Sequence, residues 1–204
     1  MNPEPSERFL LLRFALLTEG FLFVLGALLA WYLAIPLRSL FHADTDAVLL
    51  GFAGTLPLVL ALAIEYRYPG PLRETLESIE EFLLPVIQAA ALWELLFVSL
   101  LAGVCEEFFF RGVMQSGFTQ YNGVVAGIIL SSLAFGAAHL VTPGYGLAAA
   151  LLGTWLGACF HFTGNLLVPI LQHALYDFIA LLVLRRRGPR FPETPLGFTA
   201  EDST

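Results

Sequence analysis

The sequence predicts an all-α fold, a polytopic helical bundle embedded in a membrane, on three observations. Hydrophobic residues make up 57% of the 204, against 13% charged, a balance that excludes an ordinary soluble domain. Apolar runs close to the roughly 20 residues needed to cross a hydrocarbon core recur along the chain. The few ionisable residues inside those runs fall at helical spacings, so that they share helix faces.

The elements follow in order. Met1 to Glu7 is polar and acidic, and no small-residue cleavage site follows the first apolar run, so that run is expected to remain as a span. Candidate spans run from about Leu16 to Leu37, Ala47 to Ile64, Pro85 to Val104, Val124 to Leu140, Tyr145 to Phe162 and Leu166 to Leu184. The third continues helically to near Gln115, as one long tilted helix or two joined pieces. Between Pro71 and Phe82, Leu72, Leu76 and Ile79 alternate with acids, the pattern of a short helix lying on the interface. The expectation is about six transmembrane helices plus that interfacial helix. They form one membrane-embedded domain over residues 1–184 with a motif-bearing core at 85–184. A basic, proline-containing tail follows over 185–204, unstructured from Gly188 onward.

Six spans put both termini on one side, and arginine bias selects that side. Arg8, Arg13, Arg67, Arg73, Arg185, Arg186, Arg187 and Arg190 would then be cytoplasmic, leaving only Arg38 and Arg111 elsewhere. The expected location is the plasma (inner) membrane with both termini cytoplasmic. No basic face with interleaved aromatics exists, which excludes nucleic-acid binding. Cys105 and Cys159 lie in apolar segments without CxxC spacing and read as packing residues. Ser131, Ser132, Gly136, Ala137 and Ala138, then Gly146, Gly153 and Gly157, let helix backbones approach closely. The Gly153-x-x-x-Gly157 pair reads as packing within a monomer, with dimerisation the alternative.

Ionisable residues in the apolar core carry the functional signal, because a charge at the centre of a bilayer helix costs roughly 2.5–3.5 kcal/mol even on mild scales. Glu106 and Glu107 are adjacent in Cys105-Glu106-Glu107-Phe108-Phe109-Phe110-Arg111. Glu107 and Arg111, four apart with the acid first, suit an ion pair on one face. Glu106, rotated by about 100 degrees, is left free of that pair. One glutamate thus reads as structural and the other as chemical. His139 lies 33 residues after Glu106, and a helical hairpin turning at Asn122-Gly123 would bring the two level. His173 and Asp177 share one face of the last span.

Two chemistries suit this set. In one, Glu106 and His139 hold and deprotonate a water while the last helix stabilises an oxyanion. In the other, the same groups ligate zinc, although the H-E-x-x-H spacing of common zinc proteases is absent. His42 and His161 lie near span ends and read as interfacial. Glu19, near the start of its span, can reach the interface. Glu94 is deeper, lining the same cavity or pairing with Trp155 or Gln88.

Glu106-Glu107-x-x-x-Arg111, Phe135-x-x-x-His139 and His173-x-x-x-Asp177, in this order on successive apolar helices, resemble the CPBP (Abi) family. That family comprises type II CAAX prenyl endopeptidases and bacteriocin-processing or immunity proteins. The resemblance covers roughly residues 85–184 and implies an intramembrane glutamic protease. It implies that Glu106 and His139 activate the attacking water and that His173 and Asp177 form the oxyanion site. Glu107 and Arg111 would support the architecture, and no metal or other cofactor would be needed. Asp177 stands where the eukaryotic prenyl endopeptidases have Asn, and an ionised Asp cannot donate to an oxyanion. Asp177 is therefore protonated or acts by orienting His173. The expected partners are a peptide or protein substrate, cut near a terminus, and the lipid bilayer. A non-catalytic immunity protein that binds a partner is the alternative of another class. A proton-linked transporter would require inverted repeats, which the sequence does not show.

Overall fold

The computed structural model describes residues 5–68, 70 and 73–187. Helix α1 spans Pro5–Tyr32 and is followed by a short 3-10 turn at Leu37–Leu40. Helix α2 is Thr45–Arg67, α3 Arg73–Ala89 and α4 Leu92–Glu107. A π-helical segment, Phe108–Gln115, continues directly into α5, Ser116–Asn122. Helices α6 (Val124–Ala138), α7 (Pro143–Thr163) and α8 (Leu167–Arg187) complete the bundle, and no strand occurs among the described residues.

Contacts between elements fix the direction of each traverse. At one end the 3-10 turn meets the start of α8, through Leu166 N–H to Leu40 O (2.6 Å) and reciprocal bonds between His42 and Asn165. At the other, Arg185 Nη1 donates to Ala90 O (2.7 Å), and the first turn of α7 at Gly144 lies against Thr75 of α3. The chain therefore runs from end to end of the bundle in α1, α2, the stretch from α4 through the π segment to α5, α6, α7 and α8, with α3 at the end bearing Arg67 and Arg185.

Four helices are long and apolar enough to cross a membrane by themselves, at Leu12–Tyr32, Thr45–Arg67, Pro143–Thr163 and Leu167–Arg186. The other two of the about six expected spans are not among them. The third span begins at Leu92 and not at Pro85, because Pro85–Ala89 closes α3 and the chain breaks at Ala90–Ala91. The break is held by Glu94, whose Oε2 accepts the N–H of Ala91 (2.5 Å) and so satisfies a donor that the new helix leaves orphaned. Glu94 is thus a capping residue at a helix start. Its suggested partner Trp155 donates instead to Gly54 O of α2 (3.0 Å). The fourth expected span, α6, is a shorter apolar helix of 15 residues.

Helix α3 is longer than the interfacial stretch expected at Pro71–Phe82. Pro71 and Leu72, the ends Met1–Glu4 and the tail from Gly188 lie outside the described residues. Gly123 makes the expected turn between α5 and α6 with φ +83, a conformation costly for residues with a Cβ. Outward faces of α1, α2 and α7 carry large exposed apolar side chains such as Leu17, Phe21, Phe52, Leu56 and Leu151. Trp31 and Tyr32 at the end of α1, Tyr68 after α2 and Trp93 at the start of α4 are exposed at helix termini. Apolar flanks bounded by aromatic rings at helix ends are the signature of a lipid-facing surface.

Candidate active site

The π segment organises the site. π-helical turns are rare and collect at functional positions, because widening the backbone redirects side chains. Glu107, Arg111 and Gln115 follow at every fourth residue and turn inward. Arg111 Nη1 donates to Glu107 Oε1 (2.9 Å) and Nη2 to Gly153 O of α7 (3.1 Å). One step further, Gln115 Nε2 donates to Gly157 O (2.9 Å). The G-x-x-x-G pair is therefore matched, in register, by two long polar side chains of the same chain. A Cβ on Gly153 would stand 3.1 Å from Arg111 Nη2, and one on Gly157 only 2.7 Å from Gln115 Oε1.

Glu107 is shared. Its Oε1 also accepts from His173 Nδ1 of α8 (2.8 Å), while His173 Nε2 faces Asp177 Oδ2 at 3.4 Å. The structure thus ties the pair from the π segment to the pair from α8, a link that spacing alone did not disclose. Phe135 is the hub beneath these groups. Its ring lies 4.5 Å from the Arg111 guanidinium carbon, stacks on His139 at 4.4 Å and meets His173 edge-on at 5.7 Å. Its place four residues before His139 follows from the requirement that one helical turn separate a ring from the ring resting on it.

His139 caps the C-terminus of α6, one residue beyond its last helical turn. The sequence expectation had placed it inside the span. Its Nδ1 lies 2.9 Å from Phe135 O; a carbonyl only accepts, so this nitrogen carries the proton and Nε2 is the free position of the neutral ring. That Nε2 faces Glu106 Oε2 at 3.6 Å, too long for a direct hydrogen bond. Glu106 Oε2 is buried and has no hydrogen-bond partner within the protein. Side-chain exposure is 0% for Glu107 and Arg111, 3% for His173, 11% for Glu106, 24% for His139 and 31% for Asp177. The ion pair is thus sealed at the back, while Glu106, His139 and Asp177 form the open front. Two apolar cavities adjoin this front. One of about 380 Å³ is lined by Leu58, Leu62, Tyr145 and Tyr176 among others. The second, of about 310 Å³, shares Leu62 and both tyrosines and reaches Asp177.

All six residues singled out in the sequence come together here. His42 and His161 lie elsewhere, His42 bonding Ser39 O in the loop after the 3-10 turn and His161 exposed near the end of α7. Three contributors escaped sequence reasoning. Glu19 was assigned to the interface, but α1 begins at Pro5, so Glu19 lies well inside it. Its Oε2 is buried without a hydrogen bond, and its helix packs against α4 and the π segment, which carry Glu106, Glu107 and Arg111. Gln115 was legible in principle, since its spacing from Arg111 repeats that of the two glycines. Tyr145 carried no signal beyond its place at a helix start. Among the described residues, no three His, Cys, Asp or Glu side chains form a group able to hold a metal ion.

No curated protein and no solved structure matches the chain. Residues 88–179 match the family model described as type II CAAX prenyl endopeptidase Rce1-like. The matched stretch runs from the end of α3 to the middle of α8 and includes every residue of the constellation except Glu19. Over that stretch the chain is similar to the Rce1-like, type II CAAX prenyl endopeptidases, and its apolar helices are those of a helical integral membrane protein.

Proposed function

We propose that this protein is an intramembrane endopeptidase that hydrolyses peptide bonds with a water held between Glu106 and His139, without a metal. The observation that carries this reading is the pairing of two acceptors. With Nδ1 of His139 engaged as a donor, the neutral ring offers Nε2 as an acceptor, and across 3.6 Å stands a carboxylate oxygen lacking a partner. A water between two acceptors donates one hydrogen to each, which leaves its lone pairs directed away from both and toward a substrate carbonyl. On attack Glu106 takes a proton from the water and later delivers it to the leaving amine. Glu107 and Arg111 hold His173 in place from behind.

Apolar walls and cavities of a few hundred Å³ suit an extended, hydrophobic peptide terminus, either free or belonging to a membrane-anchored protein. The arginines gathered at one end of the bundle support a plasma-membrane protein with both termini cytoplasmic. The test is cleavage of internally quenched peptides by the purified chain, with and without chelator. Glu106→Gln and His139→Ala are expected to abolish turnover while the fold persists, and chelator to leave the wild type unaffected. Full activity in either variant would refute the assignment, and chelator-sensitive activity restored by zinc would replace it with a metal mechanism.

A further inference from the structure

Addition of water to a peptide carbonyl places negative charge on oxygen, and the donors that meet it supply much of the catalysis. In this chain α8 offers at most one, the Nε2–H of His173. His173 donates from Nδ1 to Glu107 and turns Nε2 onto Asp177, and an ionised Asp177 only accepts. Arg111 is fully buried and engaged by Glu107 and Gly153 O.

One further hydroxyl-bearing side chain lines the same front and can supply a second donor. Tyr145 lies in the first turn of α7, where Thr142 caps the helix by accepting the N–H of Tyr145 (3.2 Å), so its backbone position is fixed. Its ring meets the His139 imidazole edge-on at 6.0 Å between centroids. It lines both cavities, in the second together with Asp177. No hydrogen bond among the described residues engages its hydroxyl. Tyr176 lines the same cavities, but no ring contact joins it to His139.

We propose that the Tyr145 hydroxyl donates a hydrogen bond to the carbonyl oxygen under attack and is a catalytic residue of this peptidase, an inference that rests on the hydrolytic reading above. As the water oxygen bonds to the carbonyl carbon, the C=O π pair moves onto oxygen and one water proton passes to Glu106. Tyr145 keeps its own proton and only shares it. When the C=O bond re-forms, the C–N bond breaks and Glu106 returns its proton to the amine.

The test uses the full chain in phosphatidylethanolamine/phosphatidylglycerol vesicles, with a pool of internally quenched peptides bearing apolar residues on both sides of the cleavable bond. Removing one oxyanion donor typically lowers kcat by about 10²–10³-fold. Tyr145→Phe is expected to show that loss with KM and melting temperature unchanged. It is also expected to weaken inhibition by a peptide aldehyde, whose hydrate mimics the tetrahedral species, by a similar factor. A purely structural role would shift KM and melting temperature instead. Wild-type kcat in Tyr145→Phe beside an inactive Glu106→Gln overturns the role of Tyr145 alone. Absence of cleavage by the wild type, or equal cleavage by Glu106→Gln, overturns the hydrolytic reading and the role of Tyr145 with it.

Discussion

Glu107 shows how a single buried carboxylate can hold two halves of a site. Its Oε1 accepts from both Arg111 and His173, and all three side chains are almost wholly removed from solvent. Replacing it by Ala would strand a guanidinium and an imidazole in low dielectric, and breaking a buried pair this way costs about 3–5 kcal/mol. Glu107→Ala should therefore lower the melting temperature sharply in detergent. Glu106→Gln, which removes no hydrogen bond to a protein group, should melt close to wild type while losing turnover. Equal melting temperatures for both variants would show that the two glutamates do not divide structure from chemistry. Much of this was readable beforehand. An acid followed by an arginine four residues later in an apolar run has few other uses, and the same holds for His173 and Asp177. The shared use of Glu107 was not readable, because it joins residues 66 apart and depends on how α8 packs.

Among the elements, the π segment and the glycines facing it are the least expected feature. Nothing in Phe108–Gln115 announces i→i+5 bonding, since π turns are stabilised by tertiary partners and not by propensity. Here those partners are backbone carbonyls of Gly153 and Gly157, exposed to Arg111 and Gln115 because glycine adds no Cβ. Gly157→Ala should displace Gln115 and leave its buried amide without the Gly157 carbonyl, a loss of about 1–3 kcal/mol measured by thermal unfolding. An unchanged melting temperature would mean that the side chain finds another partner. Glu94 provides the contrast. As the acceptor for Ala91 N–H at the start of α4, its removal in Glu94→Ala should cost about 0.5–2 kcal/mol, as for other lost N-terminal caps, with kcat preserved. In sequence it stood out as a buried acid of unknown purpose, because the break at Ala90–Ala91 lies inside a continuous apolar run. Residues that cap a helix and residues that line a cavity look alike until the helix start is known.

For the whole molecule, the apolar surface and the arginines at one end describe an object designed for a bilayer, with its polar groups enclosed by six traverses. The about six spans read from the sequence exceed the four helices long and apolar enough to cross alone, since hydropathy does not register a π turn or a break between helices. Reporter fusions at the C-terminus should give a cytoplasmic signal; a periplasmic one would reverse the arginine assignment. The central claim is that Glu106 and His139 act on one water. It is tested most directly by comparing peptide cleavage by Glu106→Gln, by His139→Ala and by the double variant. Groups that act as a unit are non-additive, so the double variant should be no slower than the worse single one. Losses that multiply across the two substitutions would contradict a shared water and separate the two residues into independent roles.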